Sequence, residues 1–181
     1  KMVSVAGNVN HPGAFEIPFG TKLRDIIALA GGVQGGRRIS LLQLGGASGK
    51  VQAGTDEVLD TPYTYEDLAA MGLTVGSGGI LVIDERTSVI DFLRMKQEFF
   101  SEECCGQCTP CREGNVHIAL FLEKLKAGTI TAEEICLMSG IAQGMSRSSL
   151  CGVGDARPEA QPLRRDGARL WPSPLHFSAP P

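Results

Sequence analysis

The chain has 181 residues, 43% hydrophobic and 20% charged, which suits one medium domain or two small ones and excludes wholesale disorder. Its 17 basic and 20 acidic side chains leave a net charge of −3, so there is no broad cationic field and nucleic acid is a poor partner. Apolar runs such as Ile80 to Ile83 fall far below the roughly 20 residues of a spanning helix, and no basic-then-apolar signal opens the chain; it reads as soluble, not exported and not inserted in a membrane.

The first residues, Lys1-Met2, lead straight into the strand-like Val3-Ser4-Val5, as expected of a piece of a longer protein. A second short β-rich run, Ala14 to Ile17, follows, with turns at His11-Pro12-Gly13 and Pro18-Phe19-Gly20. Thr21 is the expected N-cap of a helix to Ala30, with Leu23, Ile26, Ile27 and Ala30 at helical spacing and Gly31-Gly32 as its stop. Further strands are predicted at Leu41 to Leu44 and Ile80 to Ile83, the latter a continuous apolar run that wants cover on both faces. Together these suit a small mixed sheet holding one helix in its curve.

From Thr87 the apolar period changes from two to 3.6. Ser88 is the expected cap of a helix with Asp91 at its third position and Val89, Phe92, Leu93 and Phe99 or Phe100 as its stripe. A second helix is expected after Cys111, with Ile118, Phe121, Leu122 and Leu125 on one face and its end at Gly128. Thr131-Ala-Glu-Glu134 spells a capping box for a third, striped by Ile135, Met138, Ile141 or Ala142, and Met145. The fold class is therefore α+β, a small sheet domain over residues 1–86 followed by a helical bundle over 87–154. Six of the ten prolines lie between Pro158 and Pro181, so residues 155–181 are expected to form a flexible, irregular tail.

The chemistry sits in the cysteines. Four of the six, at 104, 105, 108 and 111, fall within eight residues, which argues for metal or redox chemistry over a secreted disulfide framework. Cys105, Cys108 and Cys111 stand at successive x2 spacing, and Cys151 follows 40 residues later, just past the third helix. One tight loop with three thiolates and a distant fourth suits an iron–sulfur cluster, with the following helix aiming its N–H groups and dipole at the anionic sulfurs. Structural zinc and free or disulfide-forming cysteines are the alternatives, although Cys₄ zinc sites usually come as two separated C-x2-C knuckles. Cys136, between Ile135 and Leu137, is expected to be a small buried hydrophobe. Cys104 is expected to point away from the Cys105 register.

Other signals are weaker. His11 and His117 have no Cys or Glu partner at ligand spacing. Gly45 to Lys50 misses the P-loop pattern, since Leu44 holds the first glycine's place and Val51 the Ser/Thr position, and Gly76 to Gly79 fails G-x-G-x-x-G. No catalytic triad or acid–base carboxylate pair emerges.

Glu103-Cys-Cys-Gly-Gln-Cys-Thr-Pro-Cys-Arg-Glu-Gly114 with Ser149-Leu-Cys-Gly152 closely resembles the four-cysteine [4Fe-4S] motif of the flavoprotein subunit of NADH dehydrogenase, respiratory complex I. The same subunit type recurs in NAD-linked and electron-bifurcating hydrogenases and formate dehydrogenases. Val3 to Gly13 and Thr21 to Gly32 resemble the SLBB β-grasp domain that precedes the cluster domain in that family. Where the family usually has Ser before the first ligand, this chain has Cys104. The resemblance implies Cys105, Cys108, Cys111 and Cys151 as cluster ligands, with no catalytic residue in this chain. It also implies that the whole subunit passes a hydride from NADH to FMN, whose binding segments have no counterpart here, and that the cluster takes electrons from the flavin one at a time. The implied partners are a [2Fe-2S] thioredoxin-like subunit and an iron–sulfur relay subunit. The implied location is cytoplasmic, peripheral to the inner face of the membrane through the complex. A partner- or ligand-binding β-grasp module with a Cys₄ zinc site is the competing function.

Overall fold

In a computed structural model the chain divides into two compact units, Lys1–Ser88 and Val89–Pro181, and residues 1–155 are described. The Pro/Arg-rich segment expected over 155–181 lies, from residue 156 on, outside the described residues.

The first unit is a five-stranded mixed sheet. Strand β1 (Met2–Gly7) pairs antiparallel with β2 (Gly13–Glu16), placing Val3 opposite Phe15, because the Asn8 to Pro12 turn is short. Next come helix α1 (Leu23–Leu29), strands β3 (Ile39–Leu44) and β4 (Lys50–Ala53), short helices α2 (Asp56–Leu59) and α3 (Tyr65–Ala70), and strand β5 (Gly79–Asp84). The sheet order is β2-β1-β5-β3-β4, and β5 runs parallel to β1 and antiparallel to β3. The run at Ile80 to Ile83 is thus an interior strand, which accounts for its unbroken apolar character. Alternation sends Val3, Val5, Leu42, Leu44, Ile80 and Val82 to one face, where they pack with Leu23, Ile26 and Ile27 of α1 and with Tyr63 and Leu68.

Thr21 does not cap α1. Its hydroxyl donates to the Pro18 carbonyl at 2.8 Å, and Lys22 is the N-cap without a side-chain bond. The Pro18-Phe19-Gly20 turn draws the threonine back into an ST-type turn that competes with capping. The stop is as expected: Gly31 and Gly32 donate to the carbonyls of Ala28 and Ile27.

The second unit is built on α4 (Val89–Glu102), α5 (Thr109–Lys126), α6 (Ala132–Ser148) and the single turn α7 (Gly152–Asp155). Helix α5 packs between α4 and α6, and α7 lies against both α5 and α6. The core joins Ile118, Phe121 and Leu122 of α5 to Met138 and Met145 of α6, with Ile130 from the connecting turn. Thr131 and Glu134 form the full reciprocal capping box. On α4 the buried aromatics are Phe92 and Phe100; Phe99 is exposed and lies edge-on to Phe100 at 5.4 Å. No helix among the described residues is long and apolar enough to cross a membrane.

Candidate iron–sulfur site

Helix α5 begins three residues earlier than the sequence suggests. Cys108 is its N-cap and Thr109-Pro110 its first turn, a place where proline's missing N–H costs nothing. Cys111 therefore sits inside the first helical turn, and the 18-residue α5 points its free amides toward the cysteine loop. The loop from Glu103 to Gln107 has no regular structure, and Gly106 adopts φ +73°, a left-handed turn that favours glycine. Arg112 holds it in place, donating to the Gly106 carbonyl at 2.8 Å.

Remote residues close on this loop. The Leu150 amide, the Cys111 amide and the Ser149 hydroxyl favour the charged form of Cys108 and hold its thiol below the usual pKa. The segment that carries Cys151 thus lies against Cys108 as well as following α6. A Cβ built on Gly154 would collide with the Ser149 side chain at 2.2 Å and would only touch the Cys111 Cβ at 3.5 Å, so it is the close approach of α7 to Ser149 that requires glycine at residue 154.

Cys111 is 4% exposed, and burial, followed by the neighbouring thiols of Cys104 and Cys108, pushes its pKa up to about 11. The Asn115 side-chain amide donates to its sulfur at 3.4 Å. Asn115 is in turn held by Gln97, whose amide donates to its Oδ1 at 2.9 Å. Both polar side chains are buried, so a chain of hydrogen bonds runs from α4 through α5 to a cysteine sulfur. Neither residue stands out in the sequence; the available signal is that Gln97 and Asn115 fall on the apolar stripes of their helices.

The structure brings Cys108, Cys111 and the Ser149 to Cys151 segment together, but Cys105 and Cys151 turn their side chains to solvent. Among the described residues no three His, Cys, Asp or Glu side chains are gathered closely enough to hold a metal ion. Two expectations are corrected. Cys104 does not point away: its Sγ lies 3.5 Å from that of Cys111, because the backbone after α4 turns back over the start of α5. Cys136 is exposed, since α6 buries only the Ile135, Met138, Ala142 and Met145 side and residue 136 falls outside that arc.

The donor set nonetheless fits an anionic thiolate-bound cluster. Among the described residues the buried Ser149 hydroxyl makes no hydrogen bond of full geometry; it faces the Cys108 sulfur closely enough to favour its charged form, and a thiolate there would complete the bond.

Residues 91–162 match the NADH-ubiquinone oxidoreductase-F iron–sulfur binding region, and residues 2–52 match the SLBB domain. The chain thus carries the iron–sulfur binding region that this family model describes, together with an SLBB domain. It is 37% identical over 154 residues to the F subunit of the NADH-quinone oxidoreductase of Mycobacterium tuberculosis, covering 85% of this chain and 34% of the relative. Likewise, it is 33% identical over 159 residues to the NADP-reducing hydrogenase subunit HndC of Solidesulfovibrio fructosivorans, covering 87% of this chain and 32% of that subunit. A crystal structure of an NAD+-reducing [NiFe]-hydrogenase superposes with a TM-score of 0.75 at 31% identity, covering 86% of this chain and 26% of that one. The chain thus spans about a third of the length of the curated relatives it matches. Its architecture is the α+β pairing of an SLBB domain with a [4Fe-4S] region, and its cofactor class is a [4Fe-4S] cluster.

Proposed function

We propose that this chain is the electron-transfer part of an NADH-oxidising flavoprotein subunit, with Cys105, Cys108, Cys111 and Cys151 as the cluster ligands. When bound, the [4Fe-4S] cluster supplies a one-electron acceptor for FMN reduced by NADH elsewhere in the whole subunit. The partners would be a [2Fe-2S] thioredoxin-like subunit and an iron–sulfur relay subunit of the same complex, which would keep the protein at the cytoplasmic side of the membrane.

The observation that carries this reading is the meeting of the Ser149 to Cys151 segment with Cys108 at the start of α5. It supports a four-thiolate set, since the segment next to Cys108 is the one that carries the remote cysteine. The chain's own residues do the rest. The α5 amides and the Leu150 N–H stabilise negative sulfur, Asn115 donates to the Cys111 sulfur, and Arg112 fixes the loop at Gly106. Cys105 and Cys151, exposed to solvent, would turn inward to complete the set.

Alanine at each cysteine tests the assignment after anaerobic reconstitution with iron and sulfide. Wild type should bind about four irons per chain. Cys105→Ala, Cys108→Ala, Cys111→Ala and Cys151→Ala should each lose most of them, while Cys136→Ala keeps them all. Full iron in any of the four would remove that residue from the set, and a colourless chain with one zinc would replace the cluster by a structural metal.

A further inference from the structure

The sequence singles out Cys104 as a spare thiol, and the ligand set leaves it without a task. In the structure its Sγ lies 3.5 Å from the Cys111 Sγ, and among the described residues this is the one close thiol–thiol contact. We propose that Cys104 and Cys111 are a redox-active pair that closes into a disulfide in the cluster-free chain by exchange with a low-molecular-weight disulfide. The consequence drawn for cluster loading rests on Cys111 being a ligand; the pair itself does not.

Geometry sets the order of the two sulfurs. Cys111 is buried within the first turn of α5, whereas Cys104 is half-buried and lies in the irregular loop between α4 and α5. A soluble disulfide therefore meets Cys104 first. Closing the bond requires the sulfurs to approach from contact to about 2.05 Å, a shift within reach of side-chain rotation in a loop without regular structure. Asn115 also donates to the Cys111 sulfur, at 3.4 Å.

In the first step the Cys104 thiolate attacks one sulfur of the small disulfide, forming a mixed disulfide and expelling one small thiolate. In the second, the Cys111 sulfur, its proton passed to solvent, attacks the Cys104 sulfur and expels the other. The two protein thiols lose two electrons in all, the small disulfide gains them, and the two protons end on the two small thiols released. With Cys111 bound to Cys104, one cluster ligand is lost until a thiol reductant reopens the pair. The Cys104 thiol thus makes cluster assembly dependent on the thiol–disulfide balance.

The test uses the full 181-residue chain, prepared without cluster, reduced, and then incubated anaerobically with oxidised glutathione. Peptide mapping by mass spectrometry should find Cys104 joined to Cys111. Cys104→Ser should give no intramolecular link to Cys111. The incubated wild type should then take up at least about tenfold less iron than the reduced chain and recover after reduction, while Cys104→Ser loads equally before and after incubation. Disulfides that form only between other cysteines, or full iron uptake with the pair closed, would overturn the proposal. If the reduced wild type takes up no iron at all, the ligand reading fails, and the mapping still decides the thiol pair.

Discussion

Asn115 shows how much one side chain carries in this unit. It accepts from Gln97, donates to the Phe100 carbonyl at 3.4 Å, and donates to the Cys111 sulfur. Asn115→Ala removes all three of these buried bonds, although the Gln97 amide keeps the residue-115 carbonyl and the Ser101 hydroxyl as acceptors, so the expected loss is about 1–3 kcal/mol of stability, read by denaturant unfolding. In the reconstituted chain it should also lower the reduction potential, because a hydrogen bond to a cluster ligand favours the more negative, reduced state. An unchanged potential would confine Asn115 to packing. The sequence could not single out this residue or Gln97, since a polar side chain on an apolar stripe is visible while its partner is not. Cys104 and Cys136 depart from expectation for a related reason: spacing gives the order of thiols along the chain, not the rotation of a loop or the width of a buried helix face.

Asp84, at the end of β5, sets a pH dependence. Burial pushes its carboxyl up, but the side-chain and backbone bonds from Arg86 and the charges of Arg86 and Arg37 outweigh this and leave it below the usual carboxylate range. Arg86 Nε donates to it at 2.9 Å. A carboxyl with a lower pKa in the folded state stabilises fully above its unfolded value of about 4 and loses that contribution as pH falls through the folded value. The thermal midpoint of the N-terminal unit should therefore fall on acidification below about pH 4, and less steeply in Asp84→Asn. Equal slopes in the two proteins would show that other groups govern acid unfolding.

At the scale of elements, the three long helices were legible because each carries an apolar stripe and a stop or start signal. The capping box of α6 is the plainest case, and Thr131→Ala should cost about 1 kcal/mol by thermal unfolding. The short pieces were not legible. Helices α2 and α3 hold four and six residues, too few for periodicity, and only their threonine caps at Thr55 and Thr64 mark them. Strand β4 follows a glycine-rich turn and has no buried residue, so it lacks the apolar signature of β3. The early start of α5 was masked by Pro110, which reads as a breaker and here occupies the first turn. Turn α7 was equally hidden, yet it matters: Gly154→Ala should push it away from Ser149, which faces Cys108, and speed cluster loss several-fold in air. Unchanged retention would show that α7 gives the site no support.

For the whole molecule, the mixed sheet followed by a helical bundle could be read from one change of apolar period near Thr87, because strand and helix patterns differ across dozens of residues. The site was legible as a ligand list and not as a geometry. Three thiols fix a loop in sequence, but the return of Ser149 to Cys151 onto Cys108 depends on the lengths of α5 and α6 and on how they pack. By itself the chain should oxidise no NADH, since hydride transfer requires a flavin and a nicotinamide site that its sequence does not resemble. Stoichiometric FMN on the purified chain would contradict this. The most direct test of the central claim is electron paramagnetic resonance of the anaerobically reconstituted, dithionite-reduced chain. One cluster signal integrating to about one spin for about four irons per chain is predicted, whereas a silent, colourless protein holding zinc would contradict it.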